Sequence, residues 1–161
     1  MAFFTWLQHT PFSMWIVGSE SVWAYPTILT AHTVGLAILV GAATVIDLRI
    51  LGVASDVPVS QFERLYRFVW IGFYINLVSG LLLFASEAAD KAGQPIFLVK
   101  LALVFAALIV TVYMRSEAFR GVIAAAPTKR ARMMAMSSLT LWAGAITAGR
   151  LMAYFKNGTA P

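Results

Sequence analysis

The sequence predicts an all-α protein, an integral membrane four-helix bundle with an N-terminal interfacial segment. Three observations carry this expectation. Apolar residues make up 60% of the 161-residue chain and charged residues only 12%, against about a quarter in ordinary soluble domains. Four hydrophobic stretches, each long enough to cross roughly 30 Å of hydrocarbon, alternate with short polar connections. The basic residues gather between those stretches. A water-soluble protein of this size has too little interior to hide so much apolar surface, whereas a bilayer accepts it. The net charge of +5 therefore reads as an orientation signal, and no aromatic-laced basic face is left for a nucleic acid. Residues 1–161 form one expected transmembrane domain.

Residues 1–20 mix Phe3, Phe4, Trp6, Phe12 and Trp15 with polar groups, and Pro11 divides them. Such a segment cannot be one spanning helix and fits the membrane surface. It carries no Lys or Arg and no small-residue cleavage site after a short apolar core, so no cleaved leader is expected. Helix 1 is expected at about 21–51, with Pro26 in its first turns and Gly52 as its stop. Helix 2 is expected at about 61–86, opened by a capping box formed from Ser60 and Glu63. A polar connection leads through Gly93 to Pro95, and helix 3 follows at about 95–115. After a basic loop, helix 4 is expected at about 129–154.

Orientation follows from the charges. Loops 1 and 3 with their adjoining helix ends hold Arg49, Arg64, Arg67, Arg115, Arg120, Lys129, Arg130 and Arg132. The opposite side holds Lys91, Lys100, Arg150 and Lys156. The positive-inside rule puts loops 1 and 3 in the cytoplasm and both termini on the outer, periplasmic side of a bacterial inner membrane. Trp6, Trp15, Trp23 and Tyr25 then form an outer aromatic belt.

The absence of cysteine excludes disulfides, thiolate-bound clusters, covalent c-type haem and cysteine nucleophiles. Enzyme templates fit poorly. Asp47 lies at the opposite end of helix 1 from His32, so no Ser–His–Asp set shares one depth. No carboxylate or multi-His cluster suggests zinc or di-iron, and no glycine loop suggests phosphate binding.

Ionisable residues inside a span mark function by default. His32 lies about two turns into helix 1 from the outer side, Lys100 about one and a half turns into helix 3, and Arg150 about one turn into helix 4. All three fall in one outer layer, with Glu20 and Glu87 at its rim. Gly35 follows His32 by one turn, and Ser79, Gly80, Gly144 and Gly149 lie at comparable depth. Small residues allow close helix packing or leave room for a flat ligand. A b-type haem needs an imidazole ligand, apolar walls and cations for two propionates. His32 suits the iron, Lys100 and Arg150 suit the propionates, and Phe73, Phe84, Phe97 or Leu101 suit the walls. The sixth position falls to His9, Met14 or Met152, or stays open.

Plainer readings stand beside each assignment. His32 can simply bond a neighbouring helix, Lys100 and Arg150 can snorkel to headgroups, and His9 can be a solvated interfacial side chain. Glu20 can neutralise Arg150 or Lys100. Asp47 is expected to pair with Arg64 or Arg67, and Asn76 to bridge helices.

Several stretches carry a resemblance. Glu20-Ser21-Val22-Trp23-Ala24-Tyr25-Pro26, His32-Thr33-Val34-Gly35-Leu36 and Asp47-Leu48-Arg49-Ile50-Leu51-Gly52 resemble a family of small bacterial four-helix membrane proteins with no assigned function. Gly80-Leu81-Leu82-Leu83-Phe84-Ala85, Lys100-Leu101-Ala102-Leu103 and Gly149-Arg150-Leu151-Met152-Ala153-Tyr154 are similar to the same pattern. More distantly, His32, Leu65-Tyr66-Arg67, Gly80-Leu81-Leu82-Leu83 and Lys100 resemble the membrane-bound, four-helix type of protoporphyrinogen oxidase. That family is associated with b-type haem. The copper-resistance D-type membrane proteins are similar in outline.

The leading expectation is thus a membrane-embedded haem b protein, a cytochrome transferring electrons with a quinol or a periplasmic partner. With little mass outside the bilayer, it is expected to form a homo-oligomer or join a membrane complex. The alternatives are a porphyrinogen-oxidising enzyme using the same pocket, a permease for metal or small solutes, and a structural subunit without haem.

Overall fold

The computed structural model describes residues 2–21, 23–119, 127–152 and 154. The elements among them are all helical: α1 (Ala2–Gln8), α2 (Pro11–Gly18), α3 (Tyr25–Leu51), a 3-10 helix (Val59–Leu65), α4 (Tyr66–Ser86), α5 (Ala88–Ala92), α6 (Pro95–Phe119) and α7 (Lys129–Leu151). Arg120 and Lys156 of the charge balance, and Val22 and Ala153 of the quoted motifs, lie outside the described residues.

Three stretches, Tyr25–Leu51, Val59–Ser86 and Pro95–Glu117, are long and apolar enough to cross a membrane. α7 has 23 residues, but Lys129, Arg130 and Arg132 open it, and Ser137, Ser138, Thr140 and Thr147 follow. Those residues make it less apolar than the other three long helices.

Local chemistry sets most boundaries. Pro11 opens α2, where its missing N–H costs nothing, and the Thr10 hydroxyl accepts from the Ser13 N–H at 3.3 Å. Gly52 takes the left-handed conformation (φ +113°) that ends α3, donating to the Arg49 carbonyl, while Val53 donates to that of Leu48. Arg49 folds its guanidinium over the following loop, donating to the carbonyls of Val57 (2.7 Å) and Ser55 (3.2 Å).

The expected capping box at Ser60 does not form. Residues Val59–Leu65 wind as a 3-10 helix without a side-chain cap, and the α-helix starts only at Tyr66. Glu63 is turned to Arg115 instead (3.3 Å), so its carboxylate is not available to close the box. The connection after α4 contains the short helix α5, which sequence reading did not anticipate.

The long helices pack in the order α4, α3, α7, α6. α3 contacts both α4 and α7, and α7 contacts α6, while α4 and α6 share few backbone contacts at most. Side chains close that side. Phe84 and Phe97 stack at 5.2 Å at one end, with Phe4 edge-on to Phe84. At the other end Arg115 pairs with Glu63 and lies over the Tyr66 ring at 5.5 Å. α1 and α2 form a strap across the first of these ends. Ser13 and Ile16 are buried there, and Gln8 accepts from the Ala89 N–H at 2.9 Å. We refer to this as the strap end and to its opposite as the basic end.

The burial pattern departs from that of a soluble bundle. Leu29, Val34, Tyr74, Leu81, Phe105 and Ile109 face outward, whereas Ala43, Asp47, Ser79, Thr111, Ser138 and Ala145 face inward. Bulky apolar side chains on the outside, and small or polar ones set among Leu39, Ile46, Met114 and Trp142 in the interior, suit helices surrounded by hydrocarbon. The closest crossing is between α3 and α4. A Cβ on Gly72 would run into the Leu39 backbone nitrogen and stand 2.7 Å from the Gly35 carbonyl oxygen. A Cβ on Gly35 would lie 2.8 Å from Ile75 Cγ2. Neither obstacle can swing aside cheaply at Gly72, because it is backbone.

We therefore expect Gly72→Ala to destabilise the fold by about 1–3 kcal/mol, the usual range for overpacking. Gly41, with nothing within 4 Å, should accept alanine within about 0.5 kcal/mol. Reversible unfolding in mixed micelles compares the two; equal effects would contradict the crossing described.

Candidate functional site

His32 lies on α3 about 10 Å in from the strap end, by its position seven residues after Tyr25. It is half-buried against α4. Its Nδ1 is 3.1 Å from the Ser79 hydroxyl. That hydroxyl has one proton and lies 2.6 Å from the Ile75 carbonyl, so it donates there and accepts from His32. The hydrogen-bond network thus assigns the imidazole proton to Nδ1. Nε2 keeps its lone pair. Its neighbour is Asn76 Nδ2 at 3.5 Å, whose stronger bond, at 2.9 Å, goes to the His32 carbonyl. Gly80 makes room for the ring, since a Cβ there would sit 3.1 Å from His32 Cε1.

Lys100 enters the same layer from α6. Its chain runs along Gly149 of α7, where a Cβ would be 3.4 Å from the lysine Cε and 3.6 Å from Nζ. Its charge reaches the His32 ring. The ion pairs among the described residues are Glu87–Lys91 at 3.7 Å and Glu63–Arg115, so Lys100 has no anionic partner there. A cation without an anion among the described residues, beside an imidazole whose Nε2 lone pair meets only the long Asn76 contact, can receive an acidic ligand that also offers a metal or a hydrogen-bond donor.

The structure brings His32, Gly35, Gly80 and Lys100 into one layer with Ser79, Asn76 and Gly149. It does not place Arg150 there. Gly149 takes the inward position, and Arg150 is exposed on the last turn of α7. His9 is exposed at the end of α1 and donates from Nδ1 to its own Thr5 carbonyl at 2.7 Å. Met14 is exposed and Met152 buried. Glu20 is exposed and lines an open groove of about 320 Å³ at the strap end with Tyr25, Pro26 and Glu87, away from any pairing with Lys100 or Arg150 among the described residues. No group of three or more His, Cys, Asp or Glu side chains converges among the described residues.

Asp47 departs from its expected role. It is fully buried, and neither Arg64 nor Arg67, both exposed, reaches it. Arg49, two residues on, is tied to the loop carbonyls instead. The helix face decides this: Asp47 points to α7, with Ser138 its polar neighbour.

Sequence reading also passed over Gly72. The signal was present, because Gly72, Asn76, Ser79 and Gly80 recur at helical spacing on one face of α4.

A His32→Ala, Ser79→Ala double-mutant cycle should show a coupling of about 0.5–1.5 kcal/mol between the two side chains. Independent effects in the same unfolding measurement would contradict the bond between them. No family model matches the chain, and neither the curated proteins nor the solved structures give a match.

Proposed function

We propose that this chain spans a membrane as a four-helix bundle and works there as a small b-type haem protein, exchanging electrons with a quinol or a partner at the outer face. The observation that carries the reading is the contact of His32 Nδ1 with the Ser79 hydroxyl at 3.1 Å, from which the Nδ1–H tautomer is assigned. Ser79 holds Nδ1–H, which leaves Nε2 as the metal-binding atom, and ligating histidines are oriented in this way by a second group. Bound haem supplies one-electron chemistry.

The residues do the rest. Ser79 fixes the ring plane, Lys100 offers a cation to a propionate, and Gly80 and Gly149 keep bulk out of the layer. Asn76 must release Nε2 for a metal to bind, and its contact there is the long one. On the α4–α6 side it is side chains, Phe84 against Phe97, that a flat ligand would have to part, leaving the α3–α4 crossing intact. Arg150, exposed one residue beyond the inward-facing Gly149, would have to turn in from the rim to serve a second propionate. The resemblance of His32, the Gly80–Leu83 patch and Lys100 to a haem-associated family supports the same choice. The apolar outer surface supports a homo-oligomer or a larger membrane complex, and the charge balance supports outer termini.

One observation favours a second reading. Asn76 and Ser79 engage both the ring and the backbone of His32 without any ligand, so the cluster would also serve as a polar clip between α3 and α4 in a structural subunit.

The absorption spectrum of protein purified in mild detergent under adequate haem supply separates the readings. We expect a Soret band and sharp reduced α and β bands, lost or strongly diminished in His32→Ala, with Lys100→Gln weakening haem retention. A colourless wild type, or an unchanged His32→Ala spectrum, would reject the haem assignment and leave the clip. Turnover of a porphyrinogen with a quinone acceptor would instead mark the oxidising enzyme.

Orientation has its own test, because the chain has no native cysteine. In intact cells Gly93→Cys should react with an impermeant maleimide. Asp56→Cys should react only after permeabilisation. The reverse pattern would invert the proposed topology.

A further inference from the structure

A second polar cluster lies in the other half of the molecule, unrelated to the His32 layer. Asp47 is four residues from the end of α3, about 6 Å from the basic end. Its exposure is zero, and both carboxyl oxygens lack a hydrogen-bond partner. Ser138 on α7 is its polar neighbour, close enough to act on the carboxyl, although the buried hydroxyl forms no hydrogen bond of good geometry. One turn along the same buried stripe, Trp142 leaves its indole N–H unpartnered too. Neighbouring orphans of this kind are costly unless something bridges them.

The surroundings restrict what that can be. The charged or titratable groups near Asp47 are few. α4 contributes Tyr66, within electrostatic reach of the carboxyl. The 3-10 helix contributes Glu63, which is exposed and paired with Arg115 of α6. Arg64 is exposed, as are Lys129, Arg130 and Arg132 at the start of α7. Arg49 on α3 itself is spent on loop carbonyls. Among the described residues no cation therefore pairs with the carboxyl.

A metal cation fits poorly in its place. α3 and α7 run unbroken past the site, so their backbone carbonyls are committed to helix bonds. The oxygens left are those of Asp47, Ser138 and Tyr66, short of the six or so that hard cations take. Protons and water suit the set, since a carboxyl and a hydroxyl can each donate and accept while an indole donates.

Open space in this half of the molecule lies on the Tyr66 side. Tyr66 lines a cavity of about 50 Å³ between α4 and α6, with Val69, Trp70, Thr111 and Arg115, and that volume holds a water molecule. Tyr66 and Arg115 also border an open groove of about 460 Å³ with Glu63 and Arg67.

We propose that Asp47 and Ser138 form a proton-binding site, with Asp47 the proton carrier, exchanging with water at the basic end through Tyr66. The exchange is a plain proton transfer: hydronium in the groove gives its proton to the carboxylate, and water takes it back.

Infrared difference spectroscopy on the full chain in lipid nanodiscs tests this. At neutral pH we expect a protonated-carboxyl C=O band that shifts in D2O, vanishes in Asp47→Asn and moves in Ser138→Ala. Absence of the band in wild type, or its persistence in Asp47→Asn, would overturn the proposal. So would its loss on adding Na+ or K+ at fixed pH, which would mark a metal-cation site. If Asp47→Asn does not fold, Ser138→Ala decides alone: an unmoved band overturns the assignment.

Discussion

The approach of α3 to α4 through Gly35 and Gly72 is the constraint from which the rest follows. Two helices meet here with backbone against backbone, closer than any side chain would allow. In hydrocarbon, where burial of apolar groups gives no net drive, such contact supplies dispersion and lets polar side chains reach across. The crossing sets the register by which Asn76, Ser79 and Gly80 come level with His32. A slip of one residue on α4 would rotate this face by about 100°, away from α3 altogether.

From that seam the molecule divides into two chemically distinct halves along α3. His32 faces α4 near the strap end, and Asp47 faces α7 near the basic end, about 22 Å further along the helix. Between them the interior is Ala43, Leu39 and Ile46, apolar and closely packed. An imidazole beside an ammonium group at one end, and a lone carboxyl at the other, are joined by a single rigid helix. We read the first as a redox-cofactor site and the second as a proton site. A protein that does both chemistries has reason to keep them apart but on one element.

Much of this was legible in the sequence, and the omissions have physical causes. Composition and stretch length point to long apolar helices because hydrocarbon demands both. Pro11 and Gly52 mark boundaries because each imposes its backbone geometry whatever surrounds it. The depth of His32, Ser79 and Lys100 can be counted from helix ends. What depth does not give is rotation about the helix axis. Gly149 and Arg150 share a depth, yet only the glycine faces Lys100. Asp47 shares a level with basic residues, yet its face is turned to α7. The capping box failed for a related reason, since Glu63 met an arginine on another helix that no local motif can reveal. Gly72 was overlooked because a glycine within an apolar run signals close approach only when read with Asn76 and Ser79 on the same face.

The most direct measurement of the account is a solid-state NMR distance in lipid bilayers, between the His32 ring nitrogens and the Ser79 side chain in selectively labelled protein. The packing described here predicts a proton on Nδ1 and hydrogen-bonding proximity to the Ser79 oxygen, 3.1 Å away in the structure. A proton resting on Nε2, or a ring with no proximity to α4, would contradict both the helix crossing and the ligand assignment built on it.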